Sequence, residues 1–274
     1  MNTQETRWAS EQELFDRLAR TKTVARYQSW HVERYRSLRR RRFPLEHAFR
    51  IMRDLQRKRV LDVGCGEGED AVTLALCGAG VTAIDISPKA IELAKQRAAV
   101  NGLEIEFICG PIEASCLPIG FDIVFCHAIL HHVLSDFKSV LARLAAANPE
   151  ALFVFLEPVS LSPLLRGVRR WLPERSDVTE DERPLKAEEL SILSSYFQLH
   201  SEPFSLLSRL CRIVKAWPVL NALHAADYVL LACLIWETSR AAYCSMAGLM
   251  HRIDTNTASP AEMPSWAAKS LVAE

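Results

Sequence analysis

Residues 60–68 constrain the fold more than any other part of this sequence. They have the sequence V-L-D-V-G-C-G-E-G, a short apolar run followed by glycines at three alternate positions. An apolar run that ends in glycine is typical of a buried parallel strand that turns into a helix. Glycine permits the tight turn and lets a ligand approach the main chain, and the first N–H groups of the helix face that ligand. The segment therefore predicts a site for a nucleotide-type cofactor.

The spacing of these glycines separates two cofactor classes. A dinucleotide-binding turn has the pattern G-x-G-x-x-G, which would put its third glycine where this chain has Glu69. The chain instead has G-x-G-x-G, with Asp62 two residues before the first glycine. The spacing disfavours a nicotinamide dinucleotide, although the turn alone is also compatible with a plain strand-to-helix connection.

The next predicted strand, residues 81–84, ends in a second acid. Asp85 follows the glycine turn by about 20 residues, the separation at which such folds place a carboxylate on ribose hydroxyls. Ser87 and Pro88 are ordinary signals for the start of a helix. These residues indicate a nucleoside ligand without choosing between cofactors.

Two further phrases complete a resemblance to class I S-adenosylmethionine (SAM)-dependent methyltransferases of the small-molecule type. The first, D-x-S-x-x-x-(I/L)-x-x-A, is matched by Asp85, Ser87, Ile91 and Ala94. The second, F-D-x-V followed by L-H-H-(V/L)-x-D, resembles residues 121–136. The resemblance covers about residues 58–157.

The resemblance implies an α/β, Rossmann-like doubly wound sheet of seven strands in the order 3-2-1-4-5-7-6. The third to seventh strands are expected at residues 105–109, 121–126, 151–156, 196–204 and 243–253, with a helix as the alternative for the last. The implied domain spans residues 58–253. A helical arm (1–57) precedes it, lid insertions (159–189 and 205–236) interrupt it, and a flexible tail (254–274) follows it.

The resemblance also implies a cofactor site for SAM along the carboxyl edge of the sheet. Asp62 and the glycine turn would seat the methionine portion, and Asp85 would bind the ribose. Pro111 stands where the family often has an acid near the adenine amino group, so that contact is expected from the main chain of Ile112 or from Glu113. The full predicted set is Asp62, Gly64, Cys65, Gly66, Gly68, Asp85, Ile86, Ile112, Glu113 and His127.

Three histidines follow the fourth predicted strand. His127 and His131 are candidate catalytic bases, because an imidazole near neutral pH can take a proton from a hydroxyl. The four-residue spacing of these two histidines also suits metal ligands, but no nearby acid or cysteine completes an evident set, so no metal is predicted. A structural role remains the alternative for both, and His132 is expected to be a packing residue.

The predicted acceptor is a small, hydrophobic molecule resembling a lipid, quinone or secondary metabolite. In many small-molecule members of the family an N-terminal helix lies over the cofactor and forms part of the substrate wall. Aromatic and acidic residues therefore become candidate substrate contacts, although the aromatics could equally well fasten their helix to the domain. The predicted substrate residues are Tyr27, Trp30, His31, Tyr35 and Glu157.

Charge is balanced over the chain but unevenly distributed. The first 60 residues contain 16 Lys and Arg against 7 Asp and Glu, while the whole chain has 33 of each class. This basic N-terminal arm, densest at residues 39–42, or the lid helices could touch a membrane surface, or the arm could be a solvated helical face. Basic residues are not interleaved with aromatics, which argues against nucleic acid.

The eight cysteines have no paired spacing, and the first residues are polar and charged. Both features favour a reducing cytoplasm. The longest apolar stretch, residues 228–236, is too short to span a bilayer. The sequence does not indicate an oligomeric state. The predicted function is methyl transfer from SAM to a small molecule, and the alternatives are a NAD-dependent oxidoreductase and a non-catalytic SAM-binding protein.

Overall fold

A computed structural model describes residues 3–36, 44–159, 183–197, 199–204, 219, 222, 225–226 and 246–251. Its long helices are α1 (Thr3–Ala19), α2 (Ser29–Arg36), α3 (Pro44–Met52), α4 (Glu69–Leu76), α5 (Pro88–Val100), α6 (Phe137–Ala147) and α7 (Ala187–Tyr196). Its strands are β1 (Arg59–Val63), β2 (Gly80–Asp85), β3 (Glu106–Cys109), β4 (Ile123–His127), β5 (Leu152–Glu157), β6 (His200–Phe204) and β7 (Met246–His251). A single 3-10 turn, Leu134–Asp136, precedes α6.

The strands form one sheet in the order β3-β2-β1-β4-β5-β7-β6. Strands β1 to β5 are parallel to one another, and β7 runs antiparallel to both β5 and β6. The predicted doubly wound order is therefore confirmed, including the antiparallel seventh strand. Because the parallel strands all end at one edge, the loops after β1, β2, β3 and β4 meet there.

Alternate residues of the central strands supply the two halves of the core, since successive side chains of a strand point to opposite faces. Leu61 and Val63 of β1 pack on the face covered by α6 and α7. Val60 of β1 and Phe125 of β4 pack on the opposite face, which is covered by α3, α4 and α5. Phe125, Phe153 and Phe155 are completely buried.

The sixth strand begins later than predicted. The sequence prediction started this strand at Tyr196, but the structure ends α7 there and begins β6 at His200. Leu193 and Phe197 are both buried in the α6–α7 face, and their spacing of four residues continues the inner face of α7. That helical periodicity outweighed the apparent alternation that suggested a strand.

Several predicted segments lie largely outside the described residues. They are most of the first lid insertion, most of the second, the tail, and the basic cluster at residues 39–42. The two ends of the first insertion are close together, because Val159 and Leu185 form an isolated parallel bridge. Within the described ranges, no helix combines the length and the apolar character needed to cross a membrane.

Candidate active site

The glycine turn after β1 has the left-handed backbone that glycine permits. The φ angles of Gly64, Gly66 and Gly68 are 72°, 50° and 77°. A Cβ atom on Gly64 would lie 2.8 Å from Ile129, and one on Gly68 would lie 2.7 Å from the Cβ of Ala94. A Cβ on Gly66 would meet nothing within 4 Å. The outer two glycines therefore allow close packing, whereas Gly66 presents bare main chain to open space.

Asp85, at the end of β2, ties the glycine turn to the start of α5. Its Oδ2 accepts a hydrogen bond from the Gly66 N–H (2.8 Å), and its Oδ1 accepts one from the Ser87 N–H (2.8 Å). Burial raises the pKa of Asp85, although these two hydrogen bonds oppose the rise. Ser87 caps α5 by accepting from the Ala90 N–H, as predicted. The carboxylate lines a cleft at the carboxyl edge, where it can accept further hydrogen bonds.

Asp62 lies beneath the turn and is almost completely buried. Burial raises its pKa well above the usual range, and Asp70 adds to the rise, while His127 opposes it. Its Oδ2 has no hydrogen-bond partner among the described residues. A buried carboxylate oxygen without a partner is costly, so this atom marks a place where a donor can be bound.

His127, the last residue of β4, is paired with an acid that the sequence analysis did not identify. Its Nδ1 lies 2.6 Å from Oδ2 of Asp70, in the first turn of α4. Burial lowers the pKa of His127, but Asp70, Glu157 and Asp62 together raise it above its ordinary value. The neighbouring acids therefore favour the charged form of His127 more than water does for a free imidazole.

Glu157, at the end of β5, lies beneath the loop that follows β4. Oε1 accepts from the N–H groups of Ile129 (2.9 Å) and Leu130 (2.7 Å), and Oε2 lies 2.8 Å from Nδ1 of His131. Glu157 is completely buried and its carboxylate faces this loop, and its predicted contact with the substrate stays a prediction. At this strand end the acid accepts hydrogen bonds from the loop after β4, and its contact with His131 holds that side chain in place.

The loop after β3 is clamped from two sides. Arg143 of α6 donates to the main-chain carbonyls of Ile112, Glu113 and Ser115. The Glu113 carboxylate accepts from the guanidinium of Arg7 and from the indole N–H of Trp8. The Glu113 carboxylate is therefore paired with residues of α1, although both Ile112 and Glu113 line the cleft, and their contact with adenine stays a prediction.

Helix α1 crosses the carboxyl edge and covers the cleft. Arg7 bonds Glu113 and Asp136, while Oδ1 of Asp16 accepts from the Ser87 hydroxyl (2.6 Å) and the Lys89 N–H (3.1 Å). Glu11 and Phe15 face the cleft, which encloses only about 80 Å³. The cleft is lined by Glu11, Phe15, Gly64, Gly66, Ile84, Asp85, Ile86, Gly110, Pro111, Ile112, Glu113, Ala128, Ile129, His132 and Val133.

The predicted aromatic residues of the second helical segment fasten that segment to the domain. His31 Nε2 lies 3.2 Å from the Thr73 hydroxyl of α4, and the rings of Tyr35 and Phe49 are 4.6 Å apart. Burial and the nearby Glu69 raise the pKa of Tyr27 to about 12. Trp30 is 66% exposed. These contacts match the packing alternative, and a role in substrate binding stays a prediction.

The structure brings most predicted cofactor residues to one edge and adds partners that the sequence did not reveal. Gly64, Gly66, Asp85, Ile86, Ile112 and Glu113 line the cleft, whereas Asp62 and His127 belong to β1 and β4, and Cys65 and Gly68 to the glycine turn. The missed residues are Arg7, Glu11, Phe15, Asp16, Asp70 and Arg143. Asp70 had a sequence signal, since it follows the last glycine by two residues, whereas the others depend on long-range packing. Within the described ranges no group of three His, Cys, Asp or Glu side chains is arranged to hold a metal.

Comparisons with known proteins agree with this geometry. A family model for the methyltransferase domain matches residues 60–148. The mitochondrial ubiquinone biosynthesis O-methyltransferase of Schizosaccharomyces pombe is 35% identical over 125 residues, which cover 44% of this chain and 45% of that protein. The ubiquinone biosynthesis O-methyltransferase of Bordetella parapertussis is 35% identical over 111 residues, which cover 40% and 46%. This chain thus spans a little under half the length of these curated relatives.

One solved structure shares the fold over most of the chain. It is magnesium protoporphyrin IX methyltransferase from Synechocystis PCC 6803 with bound SAH, which is 16% identical and superposes with a TM-score of 0.54. The match covers 90% of this chain and 100% of that one. At this identity the likeness supports the Rossmann-like architecture.

Proposed function

We propose that this chain, whose residues 60–148 match a family model for the methyltransferase domain, transfers a methyl group from SAM to a small, hydrophobic, quinone-like acceptor. The observation that carries the proposal is the position of Asp85, whose carboxylate lines the cleft while it holds the glycine turn. The curated relatives named for ubiquinone biosynthesis support the choice of acceptor class.

The residues of the cleft fit the chemistry of SAM. Asp85 offers carboxylate oxygens to ribose hydroxyls, and Gly66 leaves the main chain accessible. The apolar side chains of Ile86 and Ile112 suit an adenine ring. The unpartnered oxygen of Asp62 suits the ammonium group of the methionine portion. SAM supplies an activated methyl group on a positively charged sulfur.

The main catalytic task of the protein is alignment. Holding two reacting groups in line can lower the barrier by several kcal/mol, about 7–11 at most. Glu157 fixes the loop after β4 by two backbone hydrogen bonds and by its contact with His131, so the residues of that loop keep one arrangement beside the cleft. Val133 and Phe15 line the neighbouring wall of the cleft with apolar side chains.

Both predicted bases have their Nδ1 against a carboxylate, His127 against Asp70 and His131 against Glu157. When a neutral imidazole donates through Nδ1, its other nitrogen can accept a proton from an acceptor hydroxyl. We propose His131 as the base that such a hydroxyl would meet, with Glu157 orienting its ring. His131→Gln should lower kcat more than the affinity for SAM.

The cofactor assignment is tested by calorimetry with S-adenosylhomocysteine (SAH), the product form of SAM. We expect Asp85→Asn to weaken SAH binding at least about tenfold, about 1.4 kcal/mol, because the amide accepts fewer hydrogen bonds and carries no charge. Glu104→Gln is the matched control, since Glu104 is exposed and precedes β3, at the opposite edge of the sheet. Equal affinity in Asp85→Asn and wild type would remove Asp85 from the site.

The acceptor assignment is tested with labelled SAM and a panel of ring-hydroxylated quinols, aliphatic alcohols and amines. Transfer of label to the quinols supports the proposal. Tight SAM binding without transfer to any member of the panel would favour the non-catalytic alternative.

Three further predictions complete the proposed picture. The basic N-terminal arm, or the lid helices, would bring the protein to membrane surfaces where hydrophobic acceptors reside, and a vesicle-flotation assay with anionic lipids tests this. We also propose that the chain is divided as predicted, into an N-terminal arm, a methyltransferase domain and a tail. The proposed compartment is the cytoplasm.

A further inference from the structure

Helix α1 places two of its side chains inside the cleft at the carboxyl edge. Glu11 and Phe15 are four residues apart, so they share one face of the helix, and both line the cleft. Glu11 is only 6% exposed. The ring of Phe15 packs edge-on against His132 of the loop after β4, with the ring centroids 5.4 Å apart. The chain therefore fills part of its own cleft.

The space that remains beneath α1 is too small for SAM. The cleft encloses about 80 Å³, whereas sites for small molecules usually enclose about 300–1,000 Å³. The same cleft is lined by Gly66, Asp85 and Ile112, which are predicted cofactor contacts. The helix in this position, here called the closed position, and the cofactor therefore compete for one volume.

The closed position depends on contacts outside the core of the domain. Among the described residues, neither half of the core includes one from α1. Arg7 instead bonds the carboxylates of Glu113 and Asp136. Asp16 accepts from the Ser87 hydroxyl and the Lys89 N–H. Polar groups of this kind can exchange their partners for water, so α1 can move without opening the sheet.

The closed position also brings like charges together. Glu11 and Asp85 line the same cleft. Burial raises the pKa of Asp85, and the nearby Glu67 and Asp16 add to the rise. Because Glu11 and Asp16 belong to α1, movement of the helix takes two acids away from Asp85 and relieves their repulsion.

We propose that α1 is an autoinhibitory element of the cofactor site. In the closed position Glu11 and Phe15 occupy the cleft, and SAM binds the form in which α1 has moved away. This inference rests on the proposed function and deepens it, because it assigns regulation of the cofactor site to a helix of the same chain. Its consequence is opposite to that of a helix that closes over bound cofactor, since the closed population raises the apparent Kd for SAM.

Two substitutions that weaken the closed position test the sign of this effect. Phe15→Ala removes the ring from the cleft, and Arg7→Ala removes the bonds to the loops after β3 and β4. By calorimetry we expect each variant to bind SAH at least about threefold more tightly than wild type, because a larger fraction is competent to bind. Stopped-flow measurements should show that the gain comes from faster association. Arg17→Ala changes an exposed residue of the same helix and should match wild type.

Hydrogen–deuterium exchange of the wild-type protein gives an independent readout. At a saturating SAH concentration, amides of α1 should exchange at least about threefold faster than without ligand, while those of β1 and β4 keep their protection. A helix that closed over the ligand would instead exchange more slowly.

These results separate the inference from the proposed function. Weaker or unchanged SAH binding in either variant, or slower or unchanged exchange in α1, would overturn the inference and leave the proposed function standing. If neither wild type nor the two variants bind SAH, the proposed function is wrong as well.

Discussion

Asp62 shows how a binding residue can be unfavourable for stability. In the free protein its carboxyl is buried and its Oδ2 lacks a hydrogen-bond partner within the described residues. Leaving a buried polar group unsatisfied costs about 1–3 kcal/mol. The chain therefore keeps an acid where an apolar residue would pack at lower cost, and under the proposed function the cofactor would supply the missing interaction.

We expect Asp62→Asn to increase stability at high pH while it weakens SAH binding at least tenfold. The folded protein holds the pKa of Asp62 well above its unfolded value. Native stability therefore falls as pH rises from the unfolded value, about 3.9, through the raised folded value. Asparagine removes this loss, so the variant should be about 1–3 kcal/mol more stable than wild type at pH 8 and closer to it at pH 5. Urea unfolding at both pH values measures the difference.

A second substitution controls for the general effect of removing an acid. Asp54 is exposed, and its Oδ1 accepts from the Gln56 N–H, an interaction that asparagine preserves. Asp54→Asn should therefore unfold like wild type at both pH values. If Asp62→Asn is the less stable protein at pH 8, the burial argument for Asp62 fails.

At the residue scale, the sequence predicted the groups whose position is set locally. Asp62 and Asp85 each sit at a fixed offset from a strand end, so the motif alone places them at the carboxyl edge. The role of Glu113 was not predictable in the same way, because its partner Arg7 is 106 residues away in the sequence. Asp70 could have been predicted from the sequence, since its position in the first turn of α4 follows directly from the glycine turn.

At the element scale, α1 is the helix whose position matters most for ligand access. The cleft beneath it holds about 80 Å³, whereas ligand pockets usually enclose about 300–1,000 Å³. A cofactor as large as SAM therefore needs a wider cleft, and we expect α1 and the side chains that it places in the cleft to move when the cofactor binds. The contacts that fix α1 are polar at both ends: Arg7 forms ion pairs near its start, and the Asp16 carboxylate accepts two hydrogen bonds near its finish.

Arg7→Ala should loosen α1 without unfolding the sheet. Arg7 donates to Glu113, to Asp136 and to the carbonyl of His132, so its loss removes contacts to the loops after both β3 and β4. We expect amides of α1 to exchange hydrogen at least about tenfold faster, while those of β1 and β4 keep their protection. Hydrogen–deuterium exchange with mass spectrometry measures both regions in one experiment.

Arg17→Ala is the matched control for the helix. Arg17 belongs to α1 and is exposed, so its loss should leave exchange in α1 unchanged. Equal protection of α1 in wild type and in Arg7→Ala would show that apolar packing by Leu14 and Ala19 holds the helix unaided.

At the scale of the whole molecule, the resemblance to methyltransferases implied the sheet order, and the alternation of strands and helices after the glycine turn agrees with it. Parallel strands joined by helices on both faces have few possible arrangements. The position of α1 over the carboxyl edge depended instead on contacts between distant segments. The resemblance to methyltransferases implied a covering N-terminal helix, but the sequence directed attention to the aromatics of α2, which pack against α3 and α4.

The choice between SAM and a nicotinamide dinucleotide can be decided by the stability of the whole chain. A ligand that binds only the folded state at 100 times its Kd stabilises it by about 2.7 kcal/mol. For a domain of this size that corresponds to a rise in Tm of about 5–10 °C. We expect SAH to produce such a rise and NADH to produce none, because Glu69 stands where the dinucleotide turn needs a glycine. Differential scanning fluorimetry at several ligand concentrations measures both, and Asp85→Asn should need at least about ten times more SAH for the same shift. A rise with NADH and none with SAH would assign the carboxyl edge to a dinucleotide.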